Sequence, residues 1–598
     1  MSYRSEILEN LRKSMSESSI DVLLIMPTDP HLGEYVPDHW RIIHWLTGFS
    51  GSVATIVITH NFAVLFTDSR YFIQARDQLK GSEYQFSEPI PGQDGLNDWL
   101  NENIKYGSSI GINGRTISVS RLRTFQSLLK SKQINFLTDI DFISELWVDR
   151  PPMVFTAAFD HPLAYCGKDR ISKIEDVRNE MKKKGVNYHL LSSLDDIMWL
   201  LNIRGNDIKY SPLLTSFALI DEEQVLFFSE ENMMPLKLAR DFDSLGIIML
   251  PYEDTAGMLS TLAIDELILI NPETTSVALF NALPAGMKIK EEMSIPARLK
   301  AVKNKTEIES IGNAMIKDGV ALTRFFHWIE QNAGMVPMSE LSLSDMLRRF
   351  RSEQDNYLSP SFSTIVAFNG HGALPHYAVT SETDSVIGSE GILLIDSGGQ
   401  YLDGTTDITR TIVIGTPNPQ QKKDFTLVLK GHIDLALAKF PSGTKGYQLD
   451  ILARKALWEN GLSYGHGTGH GVGFCLNVHE TPPSISPVAG IGSKYPIEPG
   501  MLLSNEPAVY REGEYGIRTE NLILCYEDEE TESGKFLKFE TVSLCYIDKK
   551  LIDSNLLDQN ELKWLNSYHS EVFAKLSPHL TDEEKIWLQE KTEELESN

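Results

Sequence analysis

The stretch HGTGHGVGFCLNVHE places His466, His470 and His479 within fourteen residues, among four glycines. Imidazole nitrogens bind metals and carry protons near neutral pH. In an extended chain residues at even offsets share a face, so His466 and His470 can point the same way. The interleaved glycines let the backbone come close to whatever the imidazoles contact. Four carboxylates stand in comparable positions: Asp396 after the apolar run of LIDSGG, Asp407 in TTDITRT, Glu506 in SNEPAVY and Glu520 in GIRTEN. Asp407 follows Asp396 by eleven residues, a spacing that a hairpin folds back into adjacency. Any one of these acids alone reads as a turn or surface residue. Together, flanked by strand-forming residues, they read as a site, because buried carboxylates without a cation or donor are costly. Four carboxylates with the His470 imidazole favour hard ions such as Mn²⁺ or Mg²⁺, and the imidazole keeps Zn²⁺, Co²⁺ and Fe²⁺ open. Five ligands exceed a tetrahedral structural zinc and suit two ions about 3.5–4 Å apart that activate a water for hydrolysis.

These residues need strands to carry them and helices to back the strands. STIVAF, GILLID and DITRTIVIG alternate with glycine-rich turns between 360 and 415, and strands return around 466–480, 501–510 and 517–526. A long helix precedes the first group, with Thr306 and Glu309 as a T-x-x-E capping box and Ile308, Ile311, Met315, Val320 and Phe325 at helical spacing. Before the second group come DFTLVLKGHIDLALAKF, closed by Pro441, and a short helix over YQLDILARKALWENG. Helices then strands, twice, predict a pseudo-symmetric α+β domain with one mostly antiparallel sheet over 303–598, and an acidic helical extension beyond 550 packed on its outside.

The first half of the chain carries an internal repeat. NLRKSMSESSIDVLLI and DVRNEMKKKGVNYHLL share the order helix, turn, buried strand, with Leu11, Met15 and Ile20 matching Val177, Met181 and Val186. WLTGFSGS parallels WLLNIRGN, setting Trp45 over Trp199 and Gly51 over Gly205, and paired apolar strands follow each. Two related α/β domains result, 1–150 and 151–302, jointed at Asp149-Arg150-Pro151-Pro152, where consecutive prolines break regular structure. At 598 residues the chain has room for three such domains. The fold class is therefore multidomain α/β and α+β.

Composition excludes rather than identifies. Hydrophobic residues at 42% and charged residues at 23% are those of a globular protein. A net charge of −27, with the signs mixed everywhere, excludes a general nucleic-acid binder. Four cysteines at wide intervals fit a reducing cytoplasm. The polar N-terminus lacks a signal peptide's apolar run, and no apolar run approaches the ~20 residues of a membrane span.

The ordered set LID-S-G, TTDITRT, HGTGHGVG…NVHE, NEP…Y and IRTEN resembles the pita-bread metallopeptidases of family M24. Two related domains ahead of the catalytic one resemble the three-domain Xaa-Pro aminopeptidases, as do TDSRYFIQA, WLLNIRGND, LKAVKN and ELKWLNSYH. The resemblance implies creatinase/prolidase-like N-terminal domains and a pita-bread catalytic domain. It implies two divalent ions, Mn²⁺ first and Zn²⁺ or Co²⁺ as alternatives. Asp396 would chelate one ion, Asp407 and Glu520 would bridge, and His470 and Glu506 would hold the other. The substrates implied are peptides with proline second, whose first residue leaves when the bridging water attacks the scissile carbonyl. Glu506 would shuttle the proton, and His479 and His376, the latter in ALPHYA, would flank the scissile bond. His466, Tyr510 and Arg518 would line the pocket, and Arg70 in TDSRY would reach the peptide from the first domain, against a surface ion pair as the plain reading. A homodimer is also implied.

An X-Pro bond is a tertiary amide without N–H, so a protease that reads that proton loses its contact, and the ring demands a pocket of fixed shape. A prolidase acting on X-Pro dipeptides, a metal-free pita-bread binding protein and a dinuclear phosphoesterase are the competing readings. The chain departs from the family's common pattern at Ala508, where Gly often follows Glu-Pro, and at Asn505, where Asp is common.

Overall fold

The computed structural model describes residues 3–89, 95–490 and 492–596. The chain divides into two compact units, one of Met1–His161 with Lys168–Ala297, the other of Pro162–Gly167 with Arg298–Asn598.

The first unit contains two six-stranded sheets of one topology. In the first, Val22–Ile25 lies at the centre, antiparallel to Thr55–Thr59 and parallel to Ser109–Ile112. Ala63–Phe66 and Gln85–Phe86 extend one side, Asn135–Leu137 the other. The second repeats this with Tyr188–Leu191 at the centre, Phe217–Ile220, Val225–Phe228 and Ile247–Leu250 on one side, and Leu267–Ile270 and Lys288–Glu291 on the other. Parallel and antiparallel neighbours occur in the same places.

The matched residues explain why. Helices Tyr3–Glu17 and Arg170–Lys184 precede the central strands and bury Leu11 and Met15 in one copy, Val177 and Met181 in the other. A Cβ on Gly51 would lie 2.4 Å from the Phe49 ring, and one on Gly205 would lie 2.1 Å from Leu214, so close packing fixes both glycines.

The second unit opens with helix Lys305–Asn332. Its capping box is Asn304 with Glu307, not Thr306 with Glu309: Asn304 accepts from the Glu307 amide at 3.0 Å and donates its own amide to Glu307 Oε2 at 2.9 Å. The helix starts earlier because the Lys303 amide is tied to the Gly500 carbonyl at 2.9 Å, which holds the chain extended up to Asn304. Helix Glu340–Ser352 follows.

The expected single sheet is instead several, with every described pairing in this unit antiparallel. Gly391–Ser397 lies between Ile365–Phe368 and Ile408–Ile414. A six-stranded sheet runs Lys439–Pro441, Gly534–Thr541, Asn521–Thr531, Leu502–Asn505, Gly469–Gly471, Glu480–Ile485. Tyr357–Pro360, Gly399–Tyr401 and Gly404–Thr405 form a third sheet, and Ala508–Arg511 with Tyr515–Arg518 a separate hairpin. The strand ends after Ser397 because Gly398 runs against other chain: a Cβ there would lie 2.0 Å from the Thr406 carbonyl. Pro441 does not close the preceding helix, which spans Pro419–Ala436; it sits in the edge strand Lys439–Pro441, where its missing N–H is tolerated.

The C-terminal helices Gln559–Leu576 and Asp582–Thr592 bury Leu565, Val572 and Leu588 in the same core as Phe325 and Phe326. Arg410, 3% exposed, ties these layers together. It donates to the carbonyls of Thr409, Glu520, Cys545 and Tyr546, to Asn521 Oδ1 and to the Tyr568 hydroxyl. All four cysteines are buried, and none of them forms a disulfide.

Candidate metal centre and peptide site

Strand register brings the four acids together in two pairs. Asp396 lies opposite Thr409 on the neighbouring strand, and Asp407 two residues before Thr409, so both carboxylates leave the same face. Asn505 lies opposite Asn521, which sets Glu506 just past one strand and Glu520 just before the other. The Glu520 amide donates to the Thr409 carbonyl at 3.1 Å, and the Thr409 hydroxyl donates to Glu520 Oε2 at 2.8 Å. One threonine thus docks the second pair against the first.

His470 enters from the strand Gly469–Gly471. Its Nδ1 donates to the Gly471 carbonyl at 2.9 Å, which turns Nε2 toward the acids, 3.4 Å from Asp407 Oδ2 and 3.7 Å from Glu506 Oε1. Ligand atoms of Asp407, His470 and Glu520 all lie within 4.8 Å of one another. Asp396 Oδ1 is buried with no hydrogen-bond partner. Converging carboxylates with an orphaned oxygen fit divalent cations, since nothing else nearby satisfies that oxygen.

The electrostatics agree. Burial raises the Asp396 carboxyl above its ordinary 3.8, Arg518 opposing and Asp407 adding to it. Burial lifts Glu506 from 4.5 to about 7, with Asp407 and Asp396 repelling its charge. Burial, then the charges of Asp407, Glu506 and Asp396, hold Glu520 well above 4.5. His470 moves the other way from a buried imidazole: burial disfavours its charge, but the Asp407 hydrogen bond and Glu506 raise it to about 9.

These shifts give a pH dependence with a definite sign. Without cations, the folded site keeps protons on Glu506 up to about 7 and on His470 up to about 9, whereas the unfolded groups release them near 4.5 and 6.5. Stability from these two groups is full below 4.5 and is lost as pH rises to about 9. Cations must displace those protons, so their stabilisation grows with pH. The shift in thermal midpoint between Mn²⁺-loaded and chelated protein is expected to increase from pH 6 to pH 9; a constant or shrinking shift would contradict the proton count.

Beyond the acids, a hydrogen-bonded chain runs outward. Arg518 Nη2 donates to Asp396 Oδ2 at 2.5 Å and Nη1 to the Tyr510 hydroxyl at 2.7 Å. Tyr510 in turn lies 2.8 Å from His466 Nε2, whose Nδ1 donates to the Gly467 carbonyl at 2.7 Å. His466 is not on a strand with His470, as alternation predicts; the strand is only three residues long, and His466 comes alongside through this chain, its Nδ1 3.9 Å from Glu506 Oε2. The His479 ring meets His470 edge-on at 4.3 Å. His376 is half-buried in the turn after the short helix Asn369–Ala373. Arg70, in the first unit, binds Asp68 twice, Nε to Oδ1 at 2.8 Å and Nη2 to Oδ2 at 2.7 Å.

Supporting residues escaped the sequence reading. Thr468 donates to Asp450 Oδ1 at 2.6 Å, and Asp450 accepts from Arg454 at 2.6 Å; Arg454 donates to the carbonyls of Tyr464 and His466. Asp450 and Arg454 stand four apart on one helix, the only hint that sequence offered. Asn505 also finds its reason: its amide donates to the His432 carbonyl at 2.8 Å, where a carboxylate would repel. Ala508 is fully buried on its strand.

Comparison with known proteins follows the same lines. Residues 309–527 match metallopeptidase family M24, and 535–595 the C-terminal region of that peptidase. Residues 7–142 and 149–307 each match the creatinase/prolidase N-terminal domain. A probable Xaa-Pro aminopeptidase P of Laccaria bicolor is 36% identical over 98% of this chain and 92% of its own length. Xaa-Pro aminopeptidase 1 of Dictyostelium discoideum is 35% identical over 96% of this chain and 93% of its own. The crystal structure of the X-prolyl aminopeptidase of Caenorhabditis elegans, a cytosolic enzyme with a di-nuclear active site, superposes with a TM-score of 0.95 at 32% identity, covering 100% of both chains.

Proposed function

Because the chain belongs to the Xaa-Pro aminopeptidases of metallopeptidase family M24, we propose that it releases the first residue of peptides whose second residue is proline. The observation that carries this reading is the convergence of Asp407, His470 and Glu520 within 4.8 Å, beside the unpartnered Asp396 oxygen. Asp396, Asp407, His470, Glu506 and Glu520 would hold two divalent cations, Mn²⁺ in our reading with Zn²⁺ or Co²⁺ as alternatives. Such ions supply a water that ionises near neutral pH and polarise the scissile carbonyl.

The chain's own residues do the rest. Glu506 takes a proton from the attacking water and returns it to the prolyl nitrogen, which as a tertiary amide has no proton of its own. His479 and His376 donate to the carbonyl oxygen as it gains negative charge. His466 and Tyr510 wall the pocket, and Arg518 neutralises Asp396 while fixing the Tyr510 hydroxyl. Arg70 is carried as a peptide contact on the resemblance alone. Location in the cytosol and assembly as a homodimer belong to the same proposal; sedimentation showing a monomer at micromolar concentration would remove the second.

Hydrolysis of an X-Pro-Y tripeptide and an X-Pro dipeptide, each with and without chelator, tests the reading. Chelator-sensitive release of the first residue from the tripeptide is expected, with the dipeptide a poorer substrate. Preference for the dipeptide would make the protein a prolidase, and activity unmoved by chelation would remove the metal mechanism.

A further inference from the structure

The turn that carries His376 is held by a carboxylate that belongs to neither the metal centre nor the pocket wall. Glu340 begins the helix Glu340–Ser352 and is 0% exposed. Its Oε1 accepts from the Phe368 amide at 2.8 Å and from His371 Nδ1 at 2.9 Å. Its Oε2 accepts from the Tyr377 hydroxyl at 2.9 Å and the Ser385 amide at 3.1 Å. The chain between Phe368 and Ser385 therefore returns to one carboxylate at four points. Two of them, His371 and Tyr377, bracket His376, and their rings stack at 4.5 Å.

A second contact fixes the same segment from the other side. Gly372 meets Gly516 of the hairpin that ends at Arg518: a Cβ on Gly372 would lie 2.8 Å from the Gly516 nitrogen, and one on Gly516 would lie 1.7 Å from the Gly372 carbonyl. No side chain fits between them. The His376 turn thus has one face against the Arg518 hairpin, with Glu340 tying its ends.

We propose that Glu340 is a positioning residue, acting through His371 and Tyr377 to hold His376 at the scissile carbonyl. The inference rests on the role given to His376 above. Glutamine at this position cannot substitute: its NH₂ would face donors where the carboxylate presents only acceptors. A misplacement of the order of 1 Å in such a group costs up to about 10²-fold in rate. Because His376 acts on the oxyanion, that loss falls on kcat while KM stays within about twofold.

The test is a double-mutant cycle on X-Pro-Y hydrolysis by the full-length Mn²⁺-loaded protein, with metal content and circular dichroism measured on each variant. Glu340→Gln is expected to lower kcat about 10²-fold and Tyr377→Phe about 10-fold, both with two ions bound and KM within about twofold. In a His376→Ala background neither substitution should lower kcat further. Additive losses in that background would overturn the inference, as would a His376→Ala variant of wild-type rate. Should Glu340→Gln fail to fold, Tyr377→Phe, which keeps the ring, carries the cycle alone. A wild-type protein inactive on the tripeptide would overturn the functional reading and this inference with it, whereas an active wild type with additive losses overturns only this inference.

Discussion

Asp407→Ala is expected to lower X-Pro hydrolysis by roughly 10³-fold or more, or at least about 4 kcal/mol of barrier at 1.36 kcal/mol per tenfold. Asp407 is 4% exposed, and its carboxylate is close to both His470 and Glu520. Alanine removes a proposed ligand from the middle of the cluster rather than from its edge. The bound metal, read by elemental analysis, should fall below two ions per chain in the same preparation. Loss of activity with two ions retained would mean that Asp407 serves the reaction otherwise than by holding metal, and retained activity would sink the site as drawn. Arg70→Ala is the informative contrast, since its partner is Asp68 and the substitution leaves all five proposed ligands in place.

The second large effect lies just beside His479. Glu480 is fully buried between Lys300 and Lys303, whose side chains are 2% and 1% exposed. Lys300 Nζ donates to Glu480 Oε2 at 3.3 Å, Lys303 Nζ binds Oε1, and Lys303 also donates to the Lys300 carbonyl at 3.0 Å. Glu480→Gln leaves two buried ammonium groups facing a neutral amide, and breaking a buried ion pair in this way costs about 3–5 kcal/mol. In a unit of this size that is a fall in thermal midpoint of the order of 10 °C. A fall under about 2 °C would show that water reaches the lysines. The triple variant Lys300→Met, Lys303→Met, Glu480→Leu should recover most of the loss, because apolar side chains need no partners. This triad is the physical content of LKAVKN, a motif the sequence presents only as a likeness to relatives.

Much of the fold was legible because it is written in local patterns. Leu11 with Met15, and Val177 with Met181, mark the buried faces of two helices by spacing alone, and the matched Trp and Gly residues declare the repeat. The errors have specific causes too. The capping box falls at Asn304 because the Gly500 carbonyl holds the Lys303 amide, a contact from almost two hundred residues away. Pro441 joins an edge strand, where its missing N–H is tolerated. The sheet divides at Gly398 because the Thr406 backbone lies against it.

The five proposed ligands were nameable from residue type and motif order, since a cluster of acids and imidazoles in strand contexts has few other uses. What sequence could not supply was the reason they converge. Register sets Asp407 diagonal to Asp396, and Thr409 joins the two halves of the site through one hydroxyl and one carbonyl. Arg410 locks them to the C-terminal helix through groups of six residues drawn from four places in the chain. Glu340 lies in no motif, and TTDITRT, LKAVKN and NVHE do not say what Thr409, Arg410 and the Lys300–Lys303–Glu480 triad do, because a buried charge is recognised by its partners, and its partners are brought to it only by the tertiary fold. The sequence by itself singled out the side chains proposed to bind metal and peptide. Only the tertiary structure decided which polar groups, distant along the chain, satisfy the buried charges that hold those side chains in place.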